Sequence, residues 1–299
     1  MSVVEKAIRK LQEQHQQPGQ TAAATGEVPK IHPPHGVSPE PVPDGAPASR
    51  LPGIVLERAV LRAAGLLPPE EDAGLLARQY RKIKHPLVAQ AIGRGVPRTP
   101  KGYLIMIASA MSGEGKTFTA VNLALSLAMD KDLEVLLVDA DVAKPQLSHV
   151  LGLGQSPGLL DALRDPHLDV ETLIRATDVP TLSFLPAGVG SEEATELLSS
   201  TRMQQIAELL GHHDSRRIVV LDSPPLLQTT ESAALTHVAG QIVVVVRAES
   251  TPQPVLLDAL KTLEGHPSVS LILNQSTRTA TSAYYYYGYG SERPNTDSA

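Results

Sequence analysis

The fold is decided by the stretch Ala110-Met111-Ser112-Gly113-Glu114-Gly115-Lys116-Thr117. An apolar run over residues 103–108 precedes it and predicts a buried parallel strand. A helical pattern of apolar residues follows it over residues 121–128. A strand, a loop of small residues, a Gly-Lys-Thr triplet and a helix form, in this order, the context of a phosphate-binding P-loop.

The residue types in this loop are those that phosphate binding requires. Gly113 and Gly115 allow the backbone to curl so that its N–H groups point at phosphate oxygens, and the dipole of the following helix adds to that field. We expect Lys116 to reach the β- and γ-phosphates and Thr117 to give its hydroxyl to Mg²⁺. Ala110 stands where the usual pattern has glycine, which is tolerable if its φ stays negative. A glycine-rich turn without a ligand is the alternative, and the Lys-Thr pair disfavours it.

Length and composition exclude several classes of protein. A chain of 299 residues can hold one large α/β domain with extensions. The formal net charge of −6 does not suggest a general affinity for nucleic acid. Cysteine is absent, which excludes disulfides, thiolate metal sites and cysteine nucleophiles. Since no apolar run approaches the roughly 20 residues of a membrane span and the N-terminus is charged, we expect a cytoplasmic protein.

Four segments are distinguished by their composition. Residues 1–16 have one apolar helical face and predict an amphipathic helix, which is either a docking segment or a frayed terminus. Residues 17–53 are crowded with proline and predict a disordered linker. Residues 54–280 carry the P-loop and predict the folded domain. Residues 281–299 form a tail in which five of the seven tyrosines lie within six residues.

Strands and helices alternate along the predicted folded domain. Further strands are predicted over residues 134–141, 182–185, 217–222, 241–246 and 269–274. We expect the most apolar of them, 241–246, to be central. One amphipathic helix is predicted over residues 192–210, and another carries apolar residues from Leu75 to Leu87 beside a basic face. This alternation predicts an α/β fold with a doubly wound, mostly parallel sheet.

Three acids stand at or just after the ends of two predicted strands. Asp139 and Asp141 follow one apolar run and Asp222 ends another. The carboxyl ends of parallel strands line the ligand crevice of an open α/β sheet. Asp222 therefore fits the acid that holds Mg²⁺, directly or through water. Of Asp139 and Asp141, one can hold a metal-bound water and the other can orient or deprotonate an incoming hydroxyl. A structural role is the alternative for any single acid.

The acceptor of the phosphoryl group decides between two activities. Water would make the protein an ATPase, and a hydroxyl would make it a kinase. The tail supplies candidate hydroxyls within the same chain, on Tyr284, Tyr285, Tyr286, Tyr287 and Tyr289. A sticky terminus without a function is the alternative interpretation of this cluster.

Four ordered motifs make the chain resemble the bacterial tyrosine autokinases of polysaccharide export, whose P-loop fold is similar to that of Min- and partition-type ATPases. The motifs stand here as Ser109–Thr117, Val138–Asp141, Val219–Pro225 and Tyr284–Tyr289. The N-terminal helix, the proline-rich linker and the segment Arg81–Pro86 make it most similar to the autokinases of exosortase-linked exopolysaccharide loci.

The resemblance covers about residues 75–290. It implies that the folded domain, 54–280, is an ATP- and Mg²⁺-dependent tyrosine kinase that phosphorylates its own tail in trans and regulates exopolysaccharide synthesis or export. It implies a role in catalysis for Lys116, Asp139, Asp141 and Asp222, with Asp139 as the base. It places Mg²⁺ at Thr117, Asp141 and Asp222, partly through water. The implied nucleotide-binding residues are Ser112, Gly113, Glu114, Gly115, Lys116, Thr117, Phe118 and, for adenine, Asn274.

The resemblance also implies partners. They are further copies of the chain in a homo-oligomer or ring, a separate inner-membrane co-polymerase or chain-length protein as activator, and a tyrosine phosphatase. Nucleic acid is not among them. The protein would then lie at the inner membrane through its activator.

Two segments depart from the family pattern, and two other functions stay open. Arg78 stands where the subunit-contact helix usually has glutamate, and residues 142–145 read Val-Ala-Lys-Pro where family members often read Leu-Arg-Arg-Pro. The main alternative is a Min- or partition-type switch ATPase, but the early loop lysine of those proteins is missing from residues 110–112. A nucleotide-binding scaffold with little turnover is the third possibility.

Overall fold

The structure is a computed structural model that describes residues 51–190, 192–212 and 216–276. The predicted segment 1–16, nearly all of the linker 17–53 and the tyrosine tail 281–299 lie outside the described residues. The helices are α1 (Arg58–Ala63), α2 (Glu70–Ile92), α3 (Lys116–Leu127), α4 (Gln146–Val150), α5 (Leu159–Arg164), α6 (Ala194–Leu198), α7 (Thr201–His212), α8 (Thr230–Val238) and α9 (Gln253–Lys261). The strands are β1 (Leu104–Ser109), β2 (Glu134–Asp139), β3 (Arg175–Ala176), β4 (Leu182–Leu185), β5 (Arg217–Asp222), β6 (Gln241–Arg247) and β7 (Val269–Asn274).

The strands form one sheet in the order β3-β4-β2-β5-β1-β6-β7. The pairs from β4 to β7 are parallel, and β3 pairs antiparallel with β4. Alternate residues of β1 enter two different apolar clusters, one on each face of the sheet. Helices must therefore cover both faces, which is the doubly wound arrangement. The predicted α/β fold with a mostly parallel sheet is confirmed.

Two predictions about individual elements were wrong. The strand predicted as central, β6, lies between β1 and the edge strand β7, whereas β5 is the middle strand. Apolarity failed as a guide because every inner strand of a doubly wound sheet is buried on both faces. The helix predicted over 192–210 is divided into α6 and α7 at Ser199 and Ser200. The Ser199 and Ser200 hydroxyls donate to the carbonyls of Thr195 and Leu197 and so compete with the helical backbone.

The segment before the P-loop packs beside β3 and against helix α3. Ile54 N donates to the Ala176 carbonyl at 2.9 Å, which fixes the start of the described chain beside β3. Helix α2 packs against α3, and Lys84 Nζ of α2 donates to the Ser126 carbonyl in the last turn of α3 at 2.8 Å. Among the described residues, no helix combines the length and the apolarity that crossing a membrane requires.

Candidate nucleotide and phosphoryl-transfer site

The loop between β1 and α3 has the backbone that the sequence predicted. Gly113 has φ 82° and Gly115 has φ 96°, a region that residues with a Cβ rarely adopt. Gly115 also lies so close to Asn274 that a Cβ at this position would clash with Asn274 Nδ2. Helix α3 begins directly after it at Lys116, so its first N–H groups face the concave side of the loop.

Glu114 braces the loop from within. Its Oε2 accepts from Met111 N at 2.7 Å, and its Oε1 accepts from the Thr251 hydroxyl in the segment after β6. Asn274 Nδ2 at the end of β7 donates to the Glu114 carbonyl at 3.0 Å. The Glu114 carboxylate therefore stabilises the conformation of the loop. The group of Glu114 that remains to bind a phosphate is its backbone N–H. Sequence reasoning missed Thr251, which no local motif marks.

Lys116 lies in the first turn of α3 with 7% of its surface exposed. Burial lowers the pKa of its ammonium group, and the nearby carboxylates of Asp222, Asp141 and Glu114 raise it in opposition. These acids favour the charged form of Lys116 against the cost of its burial. A cation at this position is what a bound polyphosphate needs.

Asp139 and Asp222 end the neighbouring strands β2 and β5 and are paired in register. Their exposed fractions are 0% and 1%. Asp139 Oδ2 accepts from Ser148 N at 2.8 Å and from the Ser148 hydroxyl at 2.7 Å. Within the described residues, Oδ1 of each carboxyl group is buried without a hydrogen-bond partner. Sequence reasoning did not find Ser148, which lies in the short helix α4.

Burial shifts the acid–base properties of this pair. Desolvation raises the pKa of Asp139 to about 6, although the two Ser148 hydrogen bonds oppose the shift. Desolvation also raises the pKa of Asp222 well above its usual range, and the neighbouring Asp139 carboxylate raises it further. Two adjacent carboxylates shielded from water repel each other when both are ionised, so a cation placed between them would be strongly stabilised.

The residues present fit a magnesium ion shared with a nucleotide. The described residues hold no group of three or more His, Cys, Asp or Glu side chains that could bind a metal by themselves. Mg²⁺, however, is usually held by one or two carboxylates together with substrate phosphates and water. Oδ1 of Asp222, which has no hydrogen-bond partner among the described residues, and the hydroxyl of the nearby Thr117, whose side chain lowers the pKa of Asp222, supply such oxygens beside the loop.

Asp141 belongs to an open cleft beside the loop. This cleft of about 490 Å³ is lined by Ser112, Asp141, Ala143, Lys144, Pro225, Gln228 and Thr229. The Asp141 carboxylate accepts from Lys144 N at 3.2 Å, and burial raises its pKa. The cleft gives a second molecule access to the carboxyl end of the sheet, so Asp141 can meet an incoming acceptor directly.

The fold brings most of the predicted site residues together. Lys116 and Thr117 lie beside the three acids at the carboxyl end of the sheet, and Asn274 contacts the loop from its other side. Phe118 is half-buried and packs against the apolar cluster that α3 shares with α2. The five tail tyrosines are outside the described residues.

Comparisons with known proteins agree with this geometry. The AAA_31 family of AAA domains matches residues 102–265. The tyrosine-protein kinase YwqD of Bacillus subtilis is 31% identical over 221 residues, which cover 73% of this chain and 89% of YwqD. The putative tyrosine-protein kinase EpsB of Ralstonia nicotianae is 32% identical over 191 residues, which cover 63% of this chain. The matched region is 24% of the length of EpsB, so the chain spans about a quarter of that relative.

Solved kinase domains share the fold. The kinase domain of VpsO superposes with a TM-score of 0.57 at 27% identity and covers 70% of this chain and 100% of its own. The kinase domain of the Escherichia coli tyrosine kinase ETK gives 0.53 at 26% identity and covers 63% of this chain and 72% of its own. With the P-loop, the paired acids and the extent of the YwqD match, these findings place the chain in the bacterial tyrosine-protein kinase family, within the AAA_31 family of AAA domains.

Proposed function

We propose that this chain is an ATP- and Mg²⁺-dependent tyrosine kinase that phosphorylates its own tyrosine cluster, Tyr284–Tyr289, and thereby regulates exopolysaccharide synthesis or export. The observation that carries the proposal is the pair of buried, unpartnered carboxylate oxygens on Asp139 and Asp222 beside the P-loop lysine. Such a pair is costly in an isolated chain and useful once a metal-bound polyphosphate lies against it. The kinase names of its relatives and the tyrosine-rich tail support tyrosine as the acceptor.

The loop and the first turn of α3 would hold the nucleotide. The N–H groups of residues 113–117 are proposed to bind the β-phosphate at the helix N-terminus, and Lys116 to span the β- and γ-phosphates. Thr117 and Asp222 would hold Mg²⁺, with Asp141 contributing through a water molecule. Bound Mg²⁺ neutralises charge on the β- and γ-phosphates during transfer.

Asp139 is proposed as the general base. Its pKa of about 6 lies close to physiological pH, so its carboxylate is largely ionised yet still basic enough to take a phenol proton. The tyrosine oxygen would form a bond to the γ-phosphorus while the bond to the leaving oxygen of ADP breaks, and the phenol proton would pass to the carboxylate. Asp141 is the competing base. It lines the open cleft, so a tyrosine would reach Asp141 without entering the protein as deeply as it must to reach Asp139.

Self-association would bring one subunit's tail to the site of another. Arg78 and Arg81 are exposed on α2 and remain available for a subunit contact. Lys84, the third basic position of that motif, donates instead to the Ser126 carbonyl of its own chain. We propose a homo-oligomer whose subunit contact depends on these two arginines. We expect this contact to be weaker than in family members that have an acid at the position of Arg78.

The remaining assignments follow the family and are proposals for this chain. The activator would be a separate inner-membrane chain-length or co-polymerase protein, and a tyrosine phosphatase would reverse the modification. The proposed kinase domain is 54–280, which follows the helix 1–16 and the linker 17–53. The protein would lie in the cytoplasm and be held at the inner membrane by binding its activator. Asn274 is proposed to read adenine, which requires its amide to exchange its contact with the Glu114 carbonyl.

Phosphotyrosine mapping tests the proposed activity. The full chain is incubated with Mg²⁺-ATP, with and without the cytoplasmic segment of the proposed inner-membrane activator. Phosphopeptides are then mapped by mass spectrometry. We expect phosphate on Tyr284–Tyr289 in the wild type and none in Lys116→Ala. Lys131→Ala is the matched control, because Lys131 is exposed in the turn before β2, at the opposite end of the sheet. ATP hydrolysis without phosphotyrosine would instead support a Min- or partition-type switch ATPase.

Two further comparisons test the details. Asp139→Asn should abolish transfer while nucleotide binding persists; transfer that survives in Asp139→Asn and is lost in Asp141→Asn would move the base to Asp141. For transfer in trans, the Lys116→Ala chain is mixed with a chain whose five tail tyrosines are phenylalanine. Phosphate on the Lys116→Ala chain is expected, and phosphate on neither chain would restrict transfer to one molecule.

A further inference from the structure

The segment after β5 reaches back to the P-loop through one side chain. Ser112 N donates to Gln228 Oε1 at 3.1 Å across a sequence separation of 116 residues. Two backbone hydrogen bonds fix the same segment directly upstream, from Leu226 N to the Ser109 carbonyl at 2.8 Å and from Leu227 N to the Ala110 carbonyl at 3.3 Å. Gln228 is therefore held over the first half of the loop by its own backbone.

The orientation of the Gln228 amide is forced by this contact. A backbone N–H can only donate, so the atom that faces Ser112 N must be the amide oxygen. The two N–H donors of Nε2 then point away from Ser112. The contact recorded for Nε2 within the described residues is Met111 Sδ at 3.9 Å, and a thioether is a weak acceptor. Gln228 thus has donor capacity left over in the cleft that it shares with Ser112, Asp141 and Lys144.

The oxygen that would take these donors is defined by the direction of the loop. Residues 115–117 form the helix N-terminus, where the β-phosphate is expected. Ser112 lies at the other half of the loop and borders the open cleft, which is where the terminal phosphoryl group must lie for an acceptor to reach it. Glutamine side chains near the phosphates are used in other P-loop enzymes to orient the attacking group.

We propose that Gln228 is a γ-phosphate-binding residue: Oε1 holds Ser112 in place and Nε2 donates to an oxygen of the transferred phosphoryl group. The inference rests on the proposed function only in needing ATP as the ligand, and it does not require tyrosine as the acceptor. It predicts that Gln228 distinguishes ATP from ADP, because ADP lacks the group that Nε2 contacts.

Substitution of Gln228 separates this role from that of a simple brace. The residue is exposed, so its hydrogen bond to Ser112 contributes little to stability and its variants should fold. Gln228→Glu retains an oxygen for Ser112 N, but it removes the N–H donors and adds a negative charge beside the γ-phosphate. Gln228→Ala removes both contacts. Gln205→Glu, exposed on α7 away from the cleft, is the control for the added charge.

The experiment measures dissociation constants for Mg²⁺-ADP and for the Mg²⁺ complex of the β,γ-imido analogue of ATP by calorimetry on full-length protein. In Gln228→Glu we expect the ratio of analogue to ADP dissociation constants to rise about tenfold or more, while ADP affinity changes less than about threefold. Gln228→Ala should raise the ratio by about threefold to tenfold, and Gln205→Glu should leave it unchanged. Thermal melting confirms that each variant is folded.

Two results would overturn the inference. A Gln228→Glu ratio within about twofold of wild type would show that Nε2 contacts no γ-phosphate oxygen. Equal losses of affinity for both nucleotides would show that Gln228 acts only as a brace for the loop. Wild-type protein that discriminates between the nucleotides through Gln228 but forms no phosphotyrosine would contradict the proposed kinase function and leave this inference standing.

Discussion

The two ends of the sheet differ in whether their buried charged groups have hydrogen-bond partners. At the carboxyl end, Asp139 and Asp222 each bury a carboxylate oxygen without a partner among the described residues. At the amino end, the side chain of Arg217 is 14% exposed, and its guanidinium donates to both carboxylate oxygens of Glu171, at 2.5 and 3.2 Å. Each end also has a cleft, of about 490 Å³ and about 600 Å³ respectively.

The difference shows that cavity size does not locate the site in this molecule. The larger cleft lies at the amino end, and among its charged residues Arg217 and Glu171 already satisfy each other. The smaller cleft adjoins Asp139 and Asp222, each of which keeps one buried carboxylate oxygen without a hydrogen-bond partner among the described residues. A fold retains such a cost where a ligand relieves it, so the buried oxygens without hydrogen bonds favour the carboxyl end as the functional end.

The largest expected effect comes from neutralising the unpartnered end. Asp222→Asn removes the charge that would hold Mg²⁺, so we expect the rate of autophosphorylation to fall about 100-fold or more. The same change removes a buried carboxylate whose ionisation is disfavoured, so the metal-free variant should melt at a higher temperature than the wild type at pH 7.5. Phosphotyrosine formation and thermal melting are measured on the same samples.

Asp258→Asn is the control, because Asp258 is an exposed acid that pairs with Lys261 on α9. It should leave both the rate and the melting temperature close to wild type. An Asp222→Asn protein that is less stable than the wild type in metal-free buffer would contradict the view that this carboxylate is held for a ligand.

Much of this comparison could be anticipated from sequence, because its parts are local. The P-loop glycines, Lys116 and the acids at strand ends are written in short motifs whose backbone geometry and sheet position follow from their neighbours. The residues that tune the site are not local. Ser148, Thr251 and Gln228 reach it from three separate segments, and only the folded chain brings them there.

The two errors in the fold have the same origin. Period predicted one helix over 192–210 and apolarity predicted that β6 is central, but both signals describe only the local environment of a segment. Side-chain competition at Ser199 and Ser200 divided the helix, and strand order placed β6 second from one edge. Strand order is a property of the crossover connections and leaves no signal within a single strand.

The second-largest expected effect is the pH dependence of stability that Asp139 causes. Asp139 has a folded-state pKa of about 6, whereas an aspartate in an unfolded chain titrates near about 3.9. The folded state therefore binds more protons between these values, and the contribution of Asp139 to stability, present below pH about 4, is lost as pH rises through about 6. We expect the stability of Asp139→Asn relative to wild type to increase by about 2–3 kcal/mol between pH 4 and pH 7.

Urea unfolding in chelator-treated buffer across this pH range measures the difference. Asp258→Asn is measured alongside as the removal of an exposed carboxylate far from the P-loop. A stability difference between Asp139→Asn and wild type that stays constant from pH 4 to pH 7 would show that the Asp139 pKa is not raised.

A smaller effect is expected at the amino end. Arg217→Met keeps much of the side-chain length but leaves Glu171 without its bidentate partner, so we expect a loss of about 1–3 kcal/mol in the free energy of unfolding. The rate of autophosphorylation should stay within about twofold, because this ion pair lies across the sheet from the P-loop. A large loss of rate in a variant that is still folded would show that the two ends are coupled.

The smallest effect completes the test at the same arginine. Glu134 Oε2 lies 3.9 Å from Arg217 Nε, and its side chain is 53% exposed. An exposed ion pair at this distance gains little over hydration, so Glu134→Gln should change the free energy of unfolding by about 0.5 kcal/mol or less. The bidentate Glu171 contact and the hydrogen bond from Arg217 Nη1 to the Leu210 carbonyl would then account for nearly all of the Arg217→Met effect. If Glu134→Gln were as damaging as Arg217→Met, the amino end would be a cooperative charge network, and its contrast with the unpartnered carboxylates would rest on several residues instead of one pair.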